Sequence, residues 1–282
     1  MDGDHFFVLA AGVVLGLMIG SFLNVVIHRL PRMMDAQWAN ALREHTEDNK
    51  ELENTSPPAP YNLAVPSSAC PHCGHVLRWH ENIPVFSYLA LRGRCNHCKQ
   101  PISWRYPAIE VFTSVLFAGC FAKYGLTFTA LAWSGFAAAL VALAAIDADT
   151  TLLPDDITQP LVWAGLLAAA LGLTTNSLTD ALWGATAGYL FLWTVYWVFR
   201  LITGKEGMGY GDFKLLAGLG AWLGWPALAS LVLIASVSGA MIGLWLRARQ
   251  RLVEGGYMPF GPFLVIAGLW VMFYGPLPFT MI

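Results

Sequence analysis

The chain has 282 residues, of which 56% are hydrophobic and only 12% are charged. Soluble domains carry about a quarter charged residues, so this composition belongs to a membrane protein. The net charge of −2 gives no basic field for nucleic acid and no acidic tail, and nucleic acid is therefore excluded as a predicted partner. All seven His, four of the five Cys and nine of the sixteen Lys and Arg precede residue 107, which predicts a polar module near the N-terminus.

The first apolar segment, residues 6–28, is long enough to cross a bilayer, which takes about 20 apolar residues. Basic residues follow it, at Arg29 and Arg32, whereas a cleavable signal peptide has them in front. We therefore expect a retained transmembrane helix. The polar, Pro-containing stretch 34–66 is expected to be solvated helix or loop.

Two CxxC pairs lie about 20 residues apart in the polar module, a spacing typical of a structural zinc site with four thiolate ligands. The predicted ligands are Cys70, Cys73, Cys95 and Cys98. Each pair can form a tight turn, closed by Gly74 or by a polar residue after the second pair. Three histidines beside the pairs could replace a thiolate, but we expect them outside the coordination shell: His72, His75 and His97.

A redox-active dithiol and four metal-free cysteines are the alternatives to zinc. A thioredoxin-type dithiol needs a βαβ context, which this segment lacks. A reducing cytoplasm disfavours disulfides and leaves metal binding as the preferred interpretation. Cys120, in an apolar segment, is expected to be a packing residue.

Seven further apolar segments follow in quick succession, at 107–122, 127–147, 157–174, 180–200, 213–224, 226–246 and 260–278. The sequence thus predicts an all-α polytopic membrane protein with about eight transmembrane helices and a cytoplasmic zinc-knuckle loop. Its predicted parts are a first helix (1–28), a cytoplasmic loop (29–106) and a seven-helix membrane domain (107–282). Cytoplasmic loops are enriched in Lys and Arg. If the N-terminus lies outside, every Lys and Arg of the chain except Lys123 falls on the cytoplasmic side.

Two carboxylates stand at the ends of predicted spans, where an ionisable residue is costly and indicates function. Asp147 ends the third span, and Asp212 opens the sixth within the glycine-rich segment 207–212. Both fall on the cytoplasmic side and could meet. Paired carboxylates suit aspartic peptidase chemistry, in which one activates water while the other, protonated, polarises the scissile carbonyl. Glycines beside Asp212 would allow a sharp turn and close approach of an extended substrate.

Spacing alone does not separate Asp147 from Asp149 as the first carboxylate. Asp155 and Asp156 are expected to cap the N-terminus of the next helix, where negative charge meets the helix dipole. Glu110, just inside the second span, has no predicted role.

Taken together, these motifs resemble the type IV prepilin peptidases. Segment 209–212 is similar to the GxGD motif of membrane aspartic proteases, and Asp147 with Leu-Pro-Asp at 153–155 is similar to the family's first catalytic motif. The segments 20–31 and 82–95, with the two CxxC pairs, match the family's N-terminal half. The resemblance covers nearly the whole chain and implies that Asp147 and Asp212 are the catalytic pair.

The resemblance implies a bacterial inner-membrane endopeptidase that removes basic leader peptides from prepilins and type II secretion pseudopilins at the cytoplasmic face. It also implies N-methylation of the new N-terminus with S-adenosylmethionine. No Rossmann-type glycine fingerprint is present, so the residues that bind this methyl donor are not predicted, and loop 29–106 is their expected location. The expected partners are the precursors and the lipid bilayer.

Other classes explain the sequence less well. Ser–His and HExxH peptidases need a His in the membrane region, and none follows His97. A transporter that uses the paired Asp residues as proton or cation sites is the alternative outside the enzymes, and it predicts Asp near mid-span. A zinc-binding interaction module leaves the Asp motifs unused, and a presenilin-like protease leaves the cysteine loop unexplained.

Overall fold

A computed structural model describes residues 2–45, 61–249 and 258–278. In these ranges the chain is helical and contains no strand, apart from two isolated β-bridges in the cysteine loop. The α-helices are α1 (Asp2–His45), α2 (Phe86–Ala90), α3 (Arg105–Tyr124), α4 (Phe128–Thr150), α5 (Asp155–Ala170), α6 (Leu178–Thr203), α7 (Tyr210–Leu223), α8 (Leu228–Ala248) and α9 (Gly261–Tyr274). Short 3-10 helices occupy Trp79–Asn82 and Trp225–Ala227.

Each predicted apolar segment overlaps one of the helices α1 and α3 to α9. Four helical stretches are long and apolar enough to cross a membrane: His5–Leu42, Phe128–Thr150, Leu178–Thr203 and Trp225–Ala248. Helix α7 has only 14 residues, a length of about 21 Å against a hydrocarbon core of about 30 Å. The all-α membrane architecture is therefore confirmed, whereas the number of eight spans stays a prediction.

The chain divides into two compact units, Met1–Ala122 and Lys123–Ile282. Helix α3 thus falls in the first unit, although the sequence-based division grouped it with the membrane domain. That division is drawn from hydropathy, which does not register which helices pack together. As a statement about functional domains it stays a prediction.

In the first unit α1 packs closely against α3 through glycines spaced four residues apart. A Cβ on Gly16 would lie 2.5 Å from the Ser114 Cα, and a Cβ on Gly20 would lie 2.7 Å from the Glu110 Cα. Small residues at this spacing let two helix backbones approach in a membrane. Beyond the predicted span α1 continues to His45, because residues 33–45 are mostly good helix formers.

In the second unit α7 lies at the centre, and most of its residues are buried. It packs against α5, α6 and α9. The Trp222 indole N–H donates to the Leu161 carbonyl at 2.9 Å, tying the end of α7 to α5. A short helix surrounded by others presents its first turn, which contains Asp212, to the neighbouring helix ends.

Candidate functional site

Asp147 lies in the last turn of α4 and is 4% exposed. The helix is followed by Thr151, its C-cap, which has a left-handed φ of 56° and whose N–H donates to the Asp147 carbonyl. The Asp147 carboxylate accepts the backbone N–H of Gly261 through Oδ2 at 2.9 Å. Because Gly261 begins α9, the carboxylate also faces the positive end of a helix dipole.

Asp212 lies in the first turn of α7, after the N-cap Gly209, and is 6% exposed. Its Oδ1 is buried and has no hydrogen-bond partner among the described residues. A buried oxygen without a partner is costly and calls for a water or a substrate group. Asp147 is near enough to Asp212 for the two side chains to interact electrostatically.

Both carboxylates line one small cavity of about 50 Å³. A water molecule takes about 30 Å³ of liquid volume, so the cavity has room for one or two. Asp149, by contrast, is exposed and lies on a different part of the helix surface. The structure thus places Asp147 and Asp212 at one cavity, which favours Asp147 over Asp149 as the partner of Asp212.

The glycines before Asp212 lie in a bent segment, as expected, although none of Gly207, Gly209 and Gly211 has a positive φ. Their expected role in substrate approach stays a prediction. A Cβ on Gly211 would lie 2.6 Å from the Leu153 Cβ, and one on Gly207 would lie 2.8 Å from the Phe199 ring. Close packing around the cavity therefore favours glycine at Gly207 and Gly211, whereas a Cβ on Gly209 would meet nothing closer than 3.8 Å.

The predicted cap at Asp155 and Asp156 is only half right. Both residues lie in the first turn of α5, where the dipole favours them, but the N-cap residue is Pro154, which offers no side-chain cap. Asp155 instead pairs with the Lys214 ammonium at 2.6 Å. This ion pair joins the segments that follow Asp147 and Asp212. Sequence inspection missed it, because a tertiary contact sets it.

The cysteine loop forms two matched turns. The N–H groups of Gly74 and Lys99 donate to the carbonyls of Cys70 and Cys95, and both donors have positive φ. This confirms that Gly74 and a polar residue close the turns. All four Sγ atoms lie within 4.8 Å of one another, and no disulfide joins them.

The Sγ atoms fit a tetrahedral metal ion. The Sγ atoms of Cys70 and Cys98 lie 3.8 Å apart, and those of Cys73 and Cys95 lie 4.0 Å apart. Zn–S bonds of about 2.3 Å in a tetrahedron require about 3.8 Å between sulfurs. The N–H groups of residues 98 and 97 lower the pKa of the Cys95 thiol to about 6, which favours a thiolate. The pKa of the Cys73 thiol is instead raised to about 12, since the hydrogen bond from the His75 N–H is outweighed by desolvation and the neighbouring thiols.

Glu81 joins the two turns and was missed by the sequence analysis. Its carboxylate accepts the Arg78 N–H at 2.9 Å and the Asn96 amide at 2.7 Å, and it contacts the His75 ring at 3.2 Å. These partners, the Arg78 N–H first, lower the pKa of Glu81 to about 2. His75 is thus held by Glu81 and lies outside the four-thiolate cluster, as expected.

Comparison with known proteins identifies the two halves of the chain. Residues 14–124 match the family model described as the bacterial peptidase A24 N-terminal domain. Residues 134–244 match the model described as the type IV leader peptidase family. The first match ends close to the boundary between the two structural units. No solved structure matches the chain.

Three curated relatives share the name prepilin leader peptidase/N-methyltransferase. The Burkholderia pseudomallei (strain 1026b) protein is 54% identical over 97% of this chain and 87% of its own length. The Aeromonas hydrophila protein is 51% identical over 92% of this chain and 88% of its own length. The Pseudomonas aeruginosa protein is 49% identical over 93% of this chain and 89% of its own length.

Proposed function

Because this chain belongs to the type IV leader peptidase family, we propose that it is a prepilin leader peptidase and N-methyltransferase whose leader cleavage depends on Asp147 and Asp212. The observation that carries the peptidase role is the pair of buried carboxylates, from two different helices, that lines one water-sized cavity. The methyltransferase role is supported by the name that the relatives share.

Each carboxylate contributes one half of peptide hydrolysis. The ionised carboxylate takes a proton from a water in the cavity, and the water oxygen attacks the scissile carbonyl carbon. The protonated carboxylate donates a hydrogen bond to the carbonyl oxygen, and a proton passes to the leaving nitrogen as the C–N bond breaks. Since two like charges so close cannot both form comfortably, the pair holds one proton and titrates as a unit.

The substrates are type IV prepilins and type II secretion pseudopilins with basic leaders, in a bacterial inner membrane. Support for the cytoplasmic placement of the site comes from the Lys and Arg pattern of the connecting segments. A basic leader remains on the same side for the same reason. The scissile bond would then lie at the membrane face assigned to the ends of α4 and α7.

Single Asp-to-Asn substitutions test the carboxylate pair. Asp147→Asn and Asp212→Asn should each reduce cleavage of a prepilin with a basic leader by at least about 100-fold, because a positioned acid or base contributes that much. Asp149→Asn is the matched control and should cleave like the wild type. Cleavage is followed by gel shift, and folding by thermal melting of the purified proteins. Near-normal cleavage by either Asp147→Asn or Asp212→Asn would refute the assignment.

The membrane-transporter interpretation is not supported. It predicts Asp near mid-helix, whereas Asp147 lies in the last turn of α4 and Asp212 in the first turn of α7. The family and the named relatives are peptidases.

The four cysteines are proposed to bind one structural zinc ion, which would hold the two turns together and take no part in cleavage. Their sulfur separations and the absence of disulfides support this. Zinc analysis of the purified protein should give one ion per chain, and Cys73→Ser should lose it. Cys120→Ala, at a buried cysteine outside the cluster, should retain it. A zinc-free wild type prepared without chelator would contradict the proposal.

A further inference from the structure

A second, larger cavity lies wholly within the first unit and has a volume of about 390 Å³. Its walls come from one face of α1, the loop from residue 61 to Cys70, helix α2 and the start of α3. Small-molecule sites are typically 300 to 1,000 Å³ in size and combine apolar walls with a few convergent polar groups. Three tyrosine rings line this one: Tyr61, Tyr88 and Tyr106.

Glu110 brings a buried carboxyl group to the cavity. It is 8% exposed, and its Oε2 accepts the N–H of Val85 at 2.8 Å. The Ser21 hydroxyl and the Asn24 amide, which donates to the Tyr106 carbonyl at 3.1 Å, lie beside it. All of these groups are neutral, and no Lys, Arg or His forms an ion pair with Glu110 in the described ranges. A buried charge normally has a partner of opposite charge, so Glu110 is suited to a cationic ligand.

The residue that donates to Glu110 has an unusual backbone. Val85 has φ = 59° and ψ = −47°, a positive-φ conformation that β-branched residues avoid. Such conformations are costly and cluster at functional sites. The hydrogen bond from the Val85 N–H to the Glu110 carboxylate helps to hold the backbone in this conformation.

Arg29 gives the cavity a buried positive charge. It is also 8% exposed, and its guanidinium donates to the carbonyls of Asn62 at 2.9 Å, Leu63 at 3.4 Å and Pro66 at 2.6 Å. These three bonds use three of the five guanidinium N–H groups. Among the described residues no carboxylate pairs with Arg29, so it can receive an anionic group of a ligand.

Glu110 and Arg29 do not lie together. Asn24, which lies beside Glu110, and Arg29 are five residues apart on α1, a rise of about 7.5 Å. A ligand that satisfied both would carry a carboxylate at one end and a positive charge several bonds away. The α-ammonium of an amino acid is bonded to the carbon next to the carboxylate, too close to reach Glu110. A sulfonium farther along the side chain is better placed.

We propose that this cavity binds the methyl donor as a sulfonium amino-acid nucleoside, with Arg29 facing its carboxylate and Glu110 facing its sulfonium. The inference rests on the proposed N-methyltransferase function, because that activity requires a donor. The tyrosine rings can stack on a nucleobase, and their faces attract a cation such as a sulfonium. Both residues act as binding residues.

Transfer of the methyl group to the peptide amine requires no oxidant. The peptide amine first loses a proton to solvent. Its lone pair then forms an N–C bond with the methyl carbon as the S–C bond breaks and leaves its electron pair on sulfur. The products are a neutral thioether and a protonated N-methylamine.

Direct binding tests the assignment without relying on turnover. The full-length, zinc-loaded protein is titrated with S-adenosylmethionine and with S-adenosylhomocysteine, which lacks the sulfonium charge. Glu110→Gln should weaken S-adenosylmethionine at least tenfold and S-adenosylhomocysteine clearly less. Glu206→Gln, at an exposed glutamate of the second unit, is the matched control and should change neither. Zinc content and prepilin cleavage should remain at wild-type levels in both variants.

Other results overturn the proposal in distinguishable ways. Equal donor binding by Glu110→Gln and the wild type would place the site elsewhere while leaving the methyltransferase function intact. If the wild-type protein cleaves prepilin but neither binds nor uses S-adenosylmethionine, the methyltransferase function is refuted as well. Displacement of the donor by phosphatidylethanolamine, and not by phosphatidylcholine, would make the cavity a lipid headgroup site.

A measurement on the wild type covers the case in which Glu110→Gln fails to fold. Ultraviolet cross-linking of tritiated S-adenosylmethionine, followed by peptide mapping, should label peptides from residues 61–110. Label confined to residues beyond 122 would overturn the proposal.

Discussion

Gly261 holds the Asp147 carboxylate in place in two ways. Its N–H donates to Oδ2, and its missing side chain leaves room for that oxygen, since a Cβ would lie 2.6 Å away. Alanine must therefore displace the carboxylate. We expect Gly261→Ala to reduce the kcat of leader cleavage about 100-fold, because misplacing a catalytic group by about 1 Å has that effect.

Gly135 provides the matched control for Gly261. It is also helical, and a Cβ there meets nothing within 4 Å. Gly135→Ala should keep the wild-type kcat, and both variants should keep the wild-type melting temperature to within a few degrees. Wild-type kcat in Gly261→Ala would show that the contact does not position Asp147.

The stability of the cysteine loop should depend on pH because of the Glu81 carboxylate. Its pKa in the folded protein is about 2, below the ordinary 4.5, so its carboxylate stabilises the fold fully above pH 4.5 and loses this contribution as the pH falls toward 2. Glu81→Gln should lower the melting temperature at pH 7. The difference from wild type should shrink between pH 4.5 and 2. A difference that persists unchanged to pH 2 would assign the effect to packing.

At the scale of elements, helix contacts in the second unit depend on glycine pairs. Gly184 of α6 and Gly220 of α7 bring the two backbones together so closely that a Cβ on either would meet the carbonyl oxygen of the other. Carbonyl groups cannot move aside as a flexible side chain can. The α6–α7 contact therefore requires glycine on both helices.

Gly184→Ala should destabilise the protein by about 1–3 kcal/mol, the usual cost of overpacking. Unfolding by SDS in mixed micelles measures this, with Gly135→Ala as the control that should lie close to wild type. Unchanged stability in Gly184→Ala would mean that α6 and α7 are packed less tightly than described.

At the scale of the whole molecule, the predicted orientation in the membrane can be tested with reporter fusions. Alkaline phosphatase needs disulfides and is active outside the cytoplasm. Fused after Gly125, between α3 and α4, it should be active; fused after Lys205, between α6 and α7, it should be inactive. The opposite pattern would invert the topology and place the catalytic pair on the outer face.

Local sequence features were sufficient to predict the apolar helices, the cluster of four cysteines and the two catalytic candidates. Hydropathy marks each long helix without reference to its neighbours. The CxxC pairs fold as local turns, so their spacing already predicts how the sulfurs converge. Asp147 and Asp212 stand out because a carboxylate in an apolar context is rare.

Only the tertiary structure decided which distant groups meet. The contact of Gly261 with Asp147, the pairing of Asp155 with Lys214 and the burial of Glu110 and Arg29 around one cavity join segments far apart in the chain. No hydropathy period or motif spacing encodes them, because they depend on how complete helices pack. The sequence by itself determined the chemical groups and their local turns, and packing determined the distances at which those groups act.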